Sequence, residues 1–388
     1  MHVGLNLIYL LPGETGGTET YARELIPELQ RSAPELRLTA FINRETERSR
    51  RTLGWLDDVT TITVPVQATR RVEWVRGEQQ ILPRLAARQE VDIVHSLANT
   101  GPAWGAFKRI VTIHDIHFRL VPEAHTPLMR LGMGVLVPLA ARRSHRIITD
   151  ARSTVGELQE QLGVASSKVD PIPLGIGNLA RALPLPEAEL RVRFGLGERP
   201  IVLCVASKRP HKNLARLISA VALIPAERRP VLVIPGYPTP HEHDLRAHAA
   251  ALGVEADVDL RSWVSAEELE GLYAASTCLA CPSLHEGFGL PVLEAMARGL
   301  PVACSGRGAL AEVAGDAAVL FDPLAPDAIA AAIERILGDP DLAARLGVAG
   351  RARASGFTWR TTADRTVQTY RSVLSTVEPA QDSQAGHA

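Results

Sequence analysis

The chain has 388 residues, room for two domains at about 100–200 residues each. Hydrophobic residues make up 46% and charged residues 22%, a globular balance that excludes a disordered chain and an integral membrane protein. Lys and Arg total 42 against 43 Asp and Glu, with 4% aromatics, so neither a basic excess nor a base-stacking surface points to nucleic acid.

The apolar run at 3–10 has no basic residues before it and no Ala-x-Ala site, so it reads as a first strand rather than a signal peptide, with a cytoplasmic location expected. A Gly-rich loop at 12–18 follows. Tyr21, Ala22, Leu25, Ile26 and Leu29 then recur at helical spacing and predict a helix over 19–30. Strands are predicted at 38–42, 60–66, 91–95, 109–113 and 146–149, with helices at 73–88 and 128–143. Strands alternating with helices imply a parallel, doubly wound sheet. Around 171–186, Gly175, Gly177, Pro184 and Pro186 break the rhythm and mark a linker. The pattern then restarts, with strands at 201–206, 230–235, 258–261, 277–281, 302–304 and 318–321. Helices are predicted at 213–224, 241–252, 266–275, 290–298 and 325–337, and two closing helices within 341–376. The fold class is α/β, with Rossmann-like halves at 1–180 and 181–359 and a frayed polar tail at 377–388.

The four cysteines, Cys204, Cys278, Cys281 and Cys304, lie in or beside apolar runs. No second Cys-x-x-Cys accompanies 278–281, so buried strand thiols are expected. Of the 42 cationic residues only Lys108, Lys168, Lys208 and Lys212 are lysine. Two of them within five residues suggest a specific need for an ammonium group.

Open α/β sheets bind ligands at the C-terminal ends of their strands, so the loops there carry the chemistry. Gly16 and Gly17 stand between the first strand and its helix, where backbone N–H groups and the helix dipole suit a phosphate. Neither a dinucleotide G-x-G-x-x-G nor a P-loop lysine is present there. The segment 207–213 gathers Lys208, Arg209, His211 and Lys212, an anion-binding composition, with Asn213 expected as a helix N-cap. In 285–294, Glu286 and Glu294 lie eight apart around Gly287-Phe288-Gly289-Leu290, and Pro291 starts a helix. This arrangement offers one carboxylate to sugar hydroxyls and the other to a ribose diol. His114, after the 109–113 strand, can meet a substrate hydroxyl or shuttle a proton.

The block 285–302 resembles the Glu-x7-Glu signature of family 4 retaining glycosyltransferases of the GT-B fold. The resemblance extends to 16–22, 112–115, 210–213, 269–275 and 357–359, nearly the whole chain. It implies two facing Rossmann-like domains that clamp a nucleotide-sugar, an acceptor domain first and a donor domain second. The helix near 360–376 then packs back on the first domain. It further implies that Gly16 and Gly17 approach the diphosphate or the sugar, Lys212 neutralises the diphosphate, and Glu286 sits at the donor sugar. Glu294 grips the ribose, Gly287, Phe288, Gly289 and Leu290 offer main-chain donors, and His114 stands beside the reacting centre. The basic residue often six before the lysine is Ala206 here, so Lys208 or Arg209 is expected as the second cation. The base-contacting loop carries Ser262, Trp263 and Val264, which leaves the base open.

Transfer with retention needs fixed positive charge on the departing diphosphate more than it needs a strong base. No cofactor and no metal are therefore expected, and the Asp-x-Asp pairs at 257–259 and 339–341 are read as coincidence. The expected donor is GDP-mannose, with a UDP-sugar next. The acceptor is a glycan, a lipid-linked glycan or a natural product. Apolar 128–139, followed by Arg142, Arg143, Arg146 and Arg152, reads either as a buried helix with a basic end or as a peripheral membrane contact at the inner face. The competing functions are a non-hydrolysing epimerase and a non-catalytic nucleotide-sugar-binding protein.

Overall fold

The computed structural model describes residues 1–122, 126–177 and 182–375; the tail expected at 377–388 lies outside them. The first half is a seven-stranded sheet of β1 (His2–Leu7), β2 (Arg37–Ile42), β3 (Thr60–Thr63), β4 (Ile93–Ser96), β5 (Lys108–Thr112), β6 (Arg146–Thr149) and β7 (Val169–Pro171). The second is a six-stranded sheet of β8 (Ile201–Leu203), β9 (Val231–Pro235), β10 (Val258–Arg261), β11 (Cys278–Cys281), β12 (Val302–Ser305) and β13 (Val319–Phe321). All pairs are parallel. Strand order is β3-β2-β1-β4-β5-β6-β7 in one sheet and β10-β9-β8-β11-β12-β13 in the other. The order reverses between β1 and β4 and between β8 and β11, and a crevice opens at such a switch point.

Near-continuous apolar strands buried on both faces are what parallel pairing requires; β1, β4, β8, β9, β11 and β12 are buried throughout. All four cysteines are free and buried in this layer. The predicted helix at 73–88 spans 71–88 with a π turn at Gly77–Ile81. Pro83 explains the turn. It has no N–H to give the Gln79 carbonyl four residues back, and the Trp104 indole donates to that carbonyl instead, at 2.6 Å. The sequence reading missed β7, where Pro171 sits on an edge strand and costs no ladder bond. It also missed the short helices Arg44–Leu53, Arg152–Leu162, Glu187–Phe194 and Gly308–Ala314.

Two crossings join the halves. Ile176 bridges Thr358, and a Cβ on Gly175 would stand 2.1 Å from the Trp359 nitrogen, so only glycine lets the two backbones meet there. The last helix, Trp359–Ser375, then packs on the first domain against Gly17–Ser32. Its Tyr370 is fully buried, and the Tyr370 hydroxyl bonds His95 Nδ1 at 2.7 Å while His95 Nε2 meets Thr112 Oγ1 at 2.8 Å. Burial pulls the His95 pKa down to about 3, so the ring is neutral and both its nitrogens are satisfied.

Tyr370→Phe leaves His95 Nδ1 buried without a partner, a loss of about 1–3 kcal/mol. Urea unfolding should show a lower midpoint at unchanged slope. An unchanged midpoint would mean that this bond does not tie the helix down.

Candidate active site

The segments after β8 and β11 flank the second switch point and meet there. Lys212 Nζ donates to Glu286 Oε1 at 2.7 Å, and Ser283 Oγ donates to the same oxygen at 2.7 Å. Burial opposes the charge on each partner. The opposite charge outweighs it, holding the Glu286 carboxyl at about 2 and raising the Lys212 ammonium above its ordinary value. Lys212 ends a 3-10 turn, Pro210–Lys212. Asn213 then takes a left-handed conformation at φ 59° and does not cap the helix as expected. Its Nδ2 instead donates to the carbonyls of Pro282 at 2.9 Å and Pro323 at 2.7 Å. The residue thus pins the β8 loop to the β11 loop and sets Lys212 against Glu286.

Lys208 is not the second cation. It is buried, with its ammonium donating to the carbonyls of Gly236, at 2.6 Å, and Arg261. Burial lowers its pKa to about 8. Arg209, the other candidate, is exposed on the same loop.

The segment Gly287-Phe288-Gly289 reaches the first domain. A Cβ on Gly287 would fall 2.2 Å from the His114 carbonyl oxygen. Gly289 precedes the Leu290–Arg298 helix at φ 111°, and Pro291 opens that helix. The Phe288 ring is buried against Phe357, 5.9 Å between centroids, which leaves only its main chain to the cleft.

His114 corrects an expectation. Its ring was read as able to meet a substrate hydroxyl or move a proton. Nδ1 instead donates to Asp150 Oδ2 at 2.7 Å and Nε2 to the Leu97 carbonyl at 2.8 Å. Burial disfavours its charge, but Asp150 raises its pKa above the ordinary value. With both nitrogens donating, the ring is an imidazolium that braces the loop, and what it presents to Gly287 is its carbonyl.

The histidine missed in the sequence is His117, in the same strand-end loop. Its ring centroid lies 4.8 Å from those of both His211 and His285. His117 Nε2, His211 Nδ1 and His285 Nδ1 are buried with no hydrogen-bond partner among the described residues. His285 Nε2 crosses to Glu157 Oε1 at 2.7 Å. The Arg152–Leu162 helix, whose own N-cap is Ala151, is capped by Glu312 of the other domain, which accepts from the N–H groups of Arg152 and Ser153 at 3.0 and 3.1 Å.

Gly16 and Gly17 stand exposed at the start of the Gly17–Ser32 helix, Gly16 at φ 65° with open space around it. Trp263 is 75% exposed, on the loop after β10 with Val264. Glu294 lies in the Leu290–Arg298 helix and accepts from the Tyr273 hydroxyl at 2.8 Å. Three of the four Asp-x-Asp carboxylates have partners of their own: Asp257 pairs with Arg199 and Arg229, Asp259 with Arg261, and Asp339 accepts from the N–H of Leu342. Among the described residues no group of three or more His, Cys, Asp or Glu is arranged to hold a metal, and no helix is long and apolar enough to cross a membrane.

A raised folded pKa makes the His114 contribution to stability complete below about pH 6.5 and lost as pH rises through the folded value. Ring NMR should find His114 titrating above the ordinary value in the wild type and lower in Asp150→Asn. The stability gap between the two proteins should be wider at about pH 5.5 than at about pH 8.5. A His114 that titrates below its ordinary value would contradict this account.

Two family models match the chain, Glycosyltransferase Family 4 over residues 15–177 and Glycosyl transferases group 1 over residues 187–353. The GDP-mannose-dependent alpha-(1-6)-phosphatidylinositol monomannoside mannosyltransferase of Mycolicibacterium smegmatis is 30% identical over 90% of this chain and 93% of its own. The O-antigen chain mannosyltransferase B of Escherichia coli is 29% identical over 68% of this chain and 70% of its own. Two solved structures share the fold. Sucrose-phosphate synthase of Thermosynechococcus elongatus has a TM-score of 0.76 at 21% identity over 97% of this chain and 100% of that one. Anabaena Alr3699/HepE in complex with UDP and glucose has a TM-score of 0.75 at 20% identity over 96% and 100%. With two parallel Rossmann-like domains, both halves matched and a 30% identical relative covered almost end to end, this chain belongs to the family 4, group 1 glycosyltransferases of the GT-B fold and is a nucleotide-sugar glycosyltransferase.

Proposed function

We propose that the protein transfers a mannosyl residue from GDP-mannose, with retention and without a metal, to a hydroxyl of a glycan or lipid-linked glycan. The observation that carries this reading is the half-buried Lys212–Glu286 pair at the switch point, where the second domain touches the His114 carbonyl. Mannosyltransferase relatives, one named as GDP-mannose-dependent, support the sugar and the base.

As the anomeric bond breaks, negative charge gathers on the diphosphate and positive charge on the sugar carbon. Lys212 supplies a fixed cation to the first, with Arg209 on the same loop adding a second and the N–H groups after Gly16 a dipole. Glu286, ionised throughout the physiological range, meets hydroxyls of the transferred sugar once the diphosphate takes over the Lys212 ammonium. Main-chain groups of Gly287 to Leu290 orient the sugar, Glu294 holds the ribose diol, and Trp263 with Val264 covers the base. The leaving phosphate is the base for the acceptor proton, which fits an imidazolium at His114. Cations in place on the diphosphate do the work a metal would do.

The Pro127–Arg143 helix supports a lipid-facing acceptor site. It buries only Val137, Ala140 and Ala141, whereas Leu128, Leu131 and Val135, at i, i+3 and i+7 on one face, are 70%, 69% and 60% exposed. Arg142, Arg143 and Arg152 are exposed. Arg146 leaves the basic set because it pairs with Asp170. An apolar stripe with a basic end is the composition that docks on an anionic bilayer.

A thermal-shift panel with GDP, UDP, ADP and TDP tests the donor reading. GDP at 100 times its dissociation constant should add about 2.7 kcal/mol of stability, equally with EDTA. Lys212→Ala should cost about 100-fold in turnover while acceptor KM moves little. Unchanged turnover at saturating donor would sink the role of Lys212, and a shift with another base would move the donor to that nucleotide. For the membrane, the protein should co-sediment with phosphatidylglycerol vesicles, less so in high salt, and Leu131→Asp with Val135→Asp should release it. Equal recovery with and without vesicles would refute the contact.

A further inference from the structure

The stretch 269–275, part of the family resemblance, has no role in the chemistry so far. Its Tyr273 lies in the Ala266–Ala275 helix, 2% exposed, and its hydroxyl donates to Glu294 Oε2 at 2.8 Å. The Tyr273 ring is held in turn. The Arg298 guanidinium lies over its face, 4.4 Å from the centroid. Arg298 is itself fixed by Glu270, Nε to Oε2 at 2.8 Å, and by the Glu294 carbonyl at 2.8 Å. Glu270 and Tyr273 are one turn apart on one helix, and Glu294 and Arg298 are one turn apart on the next. The four side chains therefore lock both helices at the point where the Glu294 carboxylate leaves the backbone.

A free glutamate gives up rotamer entropy when a ligand orders it. A carboxylate held beforehand does not. It also has roughly four acceptor sites, so a bond from the tyrosine is compatible with hydroxyl donors on the same group. We infer that Tyr273 is a positioning residue for donor recognition, its hydroxyl holding the Glu294 carboxylate in the orientation that receives the vicinal 2′- and 3′-hydroxyls of the nucleoside diphosphate. The inference rests on the reading of Glu294 as the ribose partner. Burial and the Glu294 charge both push the Tyr273 hydroxyl well above its ordinary value, so it stays a donor at every pH the folded protein meets.

The test is calorimetric titration of the full chain with the nucleoside diphosphate that the thermal panel selects and with its 2′,3′-dideoxy counterpart. In the wild type the diol should be worth at least about tenfold in affinity, the order of two hydrogen bonds to a charged group. Glu294→Ala should erase that difference. Tyr273→Phe, which keeps the ring, should weaken the diphosphate about five- to tenfold and the dideoxy analogue less than about twofold. In the Glu294→Ala background it should do nothing further. Arg298→Met, which loosens the ring without removing the hydroxyl, should give a smaller loss with the same diol dependence, and serves if the phenylalanine variant fails to fold. An equal loss for both ligands, or no loss, in Tyr273→Phe overturns the inference and leaves the ribose reading standing. A diol preference that survives Glu294→Ala, or a panel in which no nucleotide binds, overturns both.

Discussion

The structure turns on one half-buried ion pair. Lys212 and Glu286 follow neighbouring strands of the second sheet, and each favours the charge of the other against the cost of burial. Removing either partner of such a pair strands a half-buried charge, so the pair ties the two loops together. Asn213 and Ser283 hold them there, one through the Pro282 carbonyl of the opposite loop and the other by donating to the carboxylate oxygen that Lys212 shares. Cation and carboxylate are thus fixed before any ligand arrives. The loops that carry them are then in place beforehand, and only the exchange of partners at the ammonium is left for a ligand to bring about.

The first domain completes the cleft through backbone and capping contacts more than through a catalytic side chain. Gly287 approaches the His114 carbonyl at a distance no other residue allows. His285 reaches Glu157, and Glu312 supplies the cap that Ala151 cannot give to the Arg152–Leu162 helix. A helix cap is worth about 0.5–2 kcal/mol, and here it exists only while the domains touch. The wall of the site and the closure of the domains are therefore one set of contacts, and His114 serves both by holding its own loop rigid.

The architecture was legible because it follows from periodicity. Apolar runs broken by Gly and Pro placed the two sheets, and strand-end loops placed Lys212 and Glu286 on facing turns. What was not legible depends on where a side chain points. Lys208 and Lys212 look alike in sequence, yet the carbonyls of Gly236 and Arg261 converge on the first from strands 28 and 53 residues away. His114 was expected to face a substrate, but Asp150 and the Leu97 carbonyl claim its ring. Arg146 was counted with a basic patch and belongs to Asp170. The π turn before Pro83 needs the Trp104 indole, a partner no local pattern announces. Each of these four is a long-range polar contact, the kind of constraint that hydrophobic spacing does not encode.

The scarcity of lysine sharpens this. In a chain that otherwise uses arginine, a lysine marks a place where a compact ammonium fits and a planar guanidinium does not. Lys168 donates to two carbonyls at the end of the Pro127–Arg143 helix, Ala141 and Arg142, at 2.7 and 3.0 Å, and Lys208 to the two carbonyls beneath its loop. Both ammonium groups are committed to backbone acceptors, which an anionic ligand cannot take over. The partner of Lys212 differs in kind. A carboxylate can be replaced at the ammonium by a phosphate of the same charge sign and then turn to hydroxyl donors. So, of these three lysines, Lys212 alone is held by a side-chain carboxylate rather than by backbone carbonyls, and that difference in partner is what makes its ammonium the one a phosphate can claim.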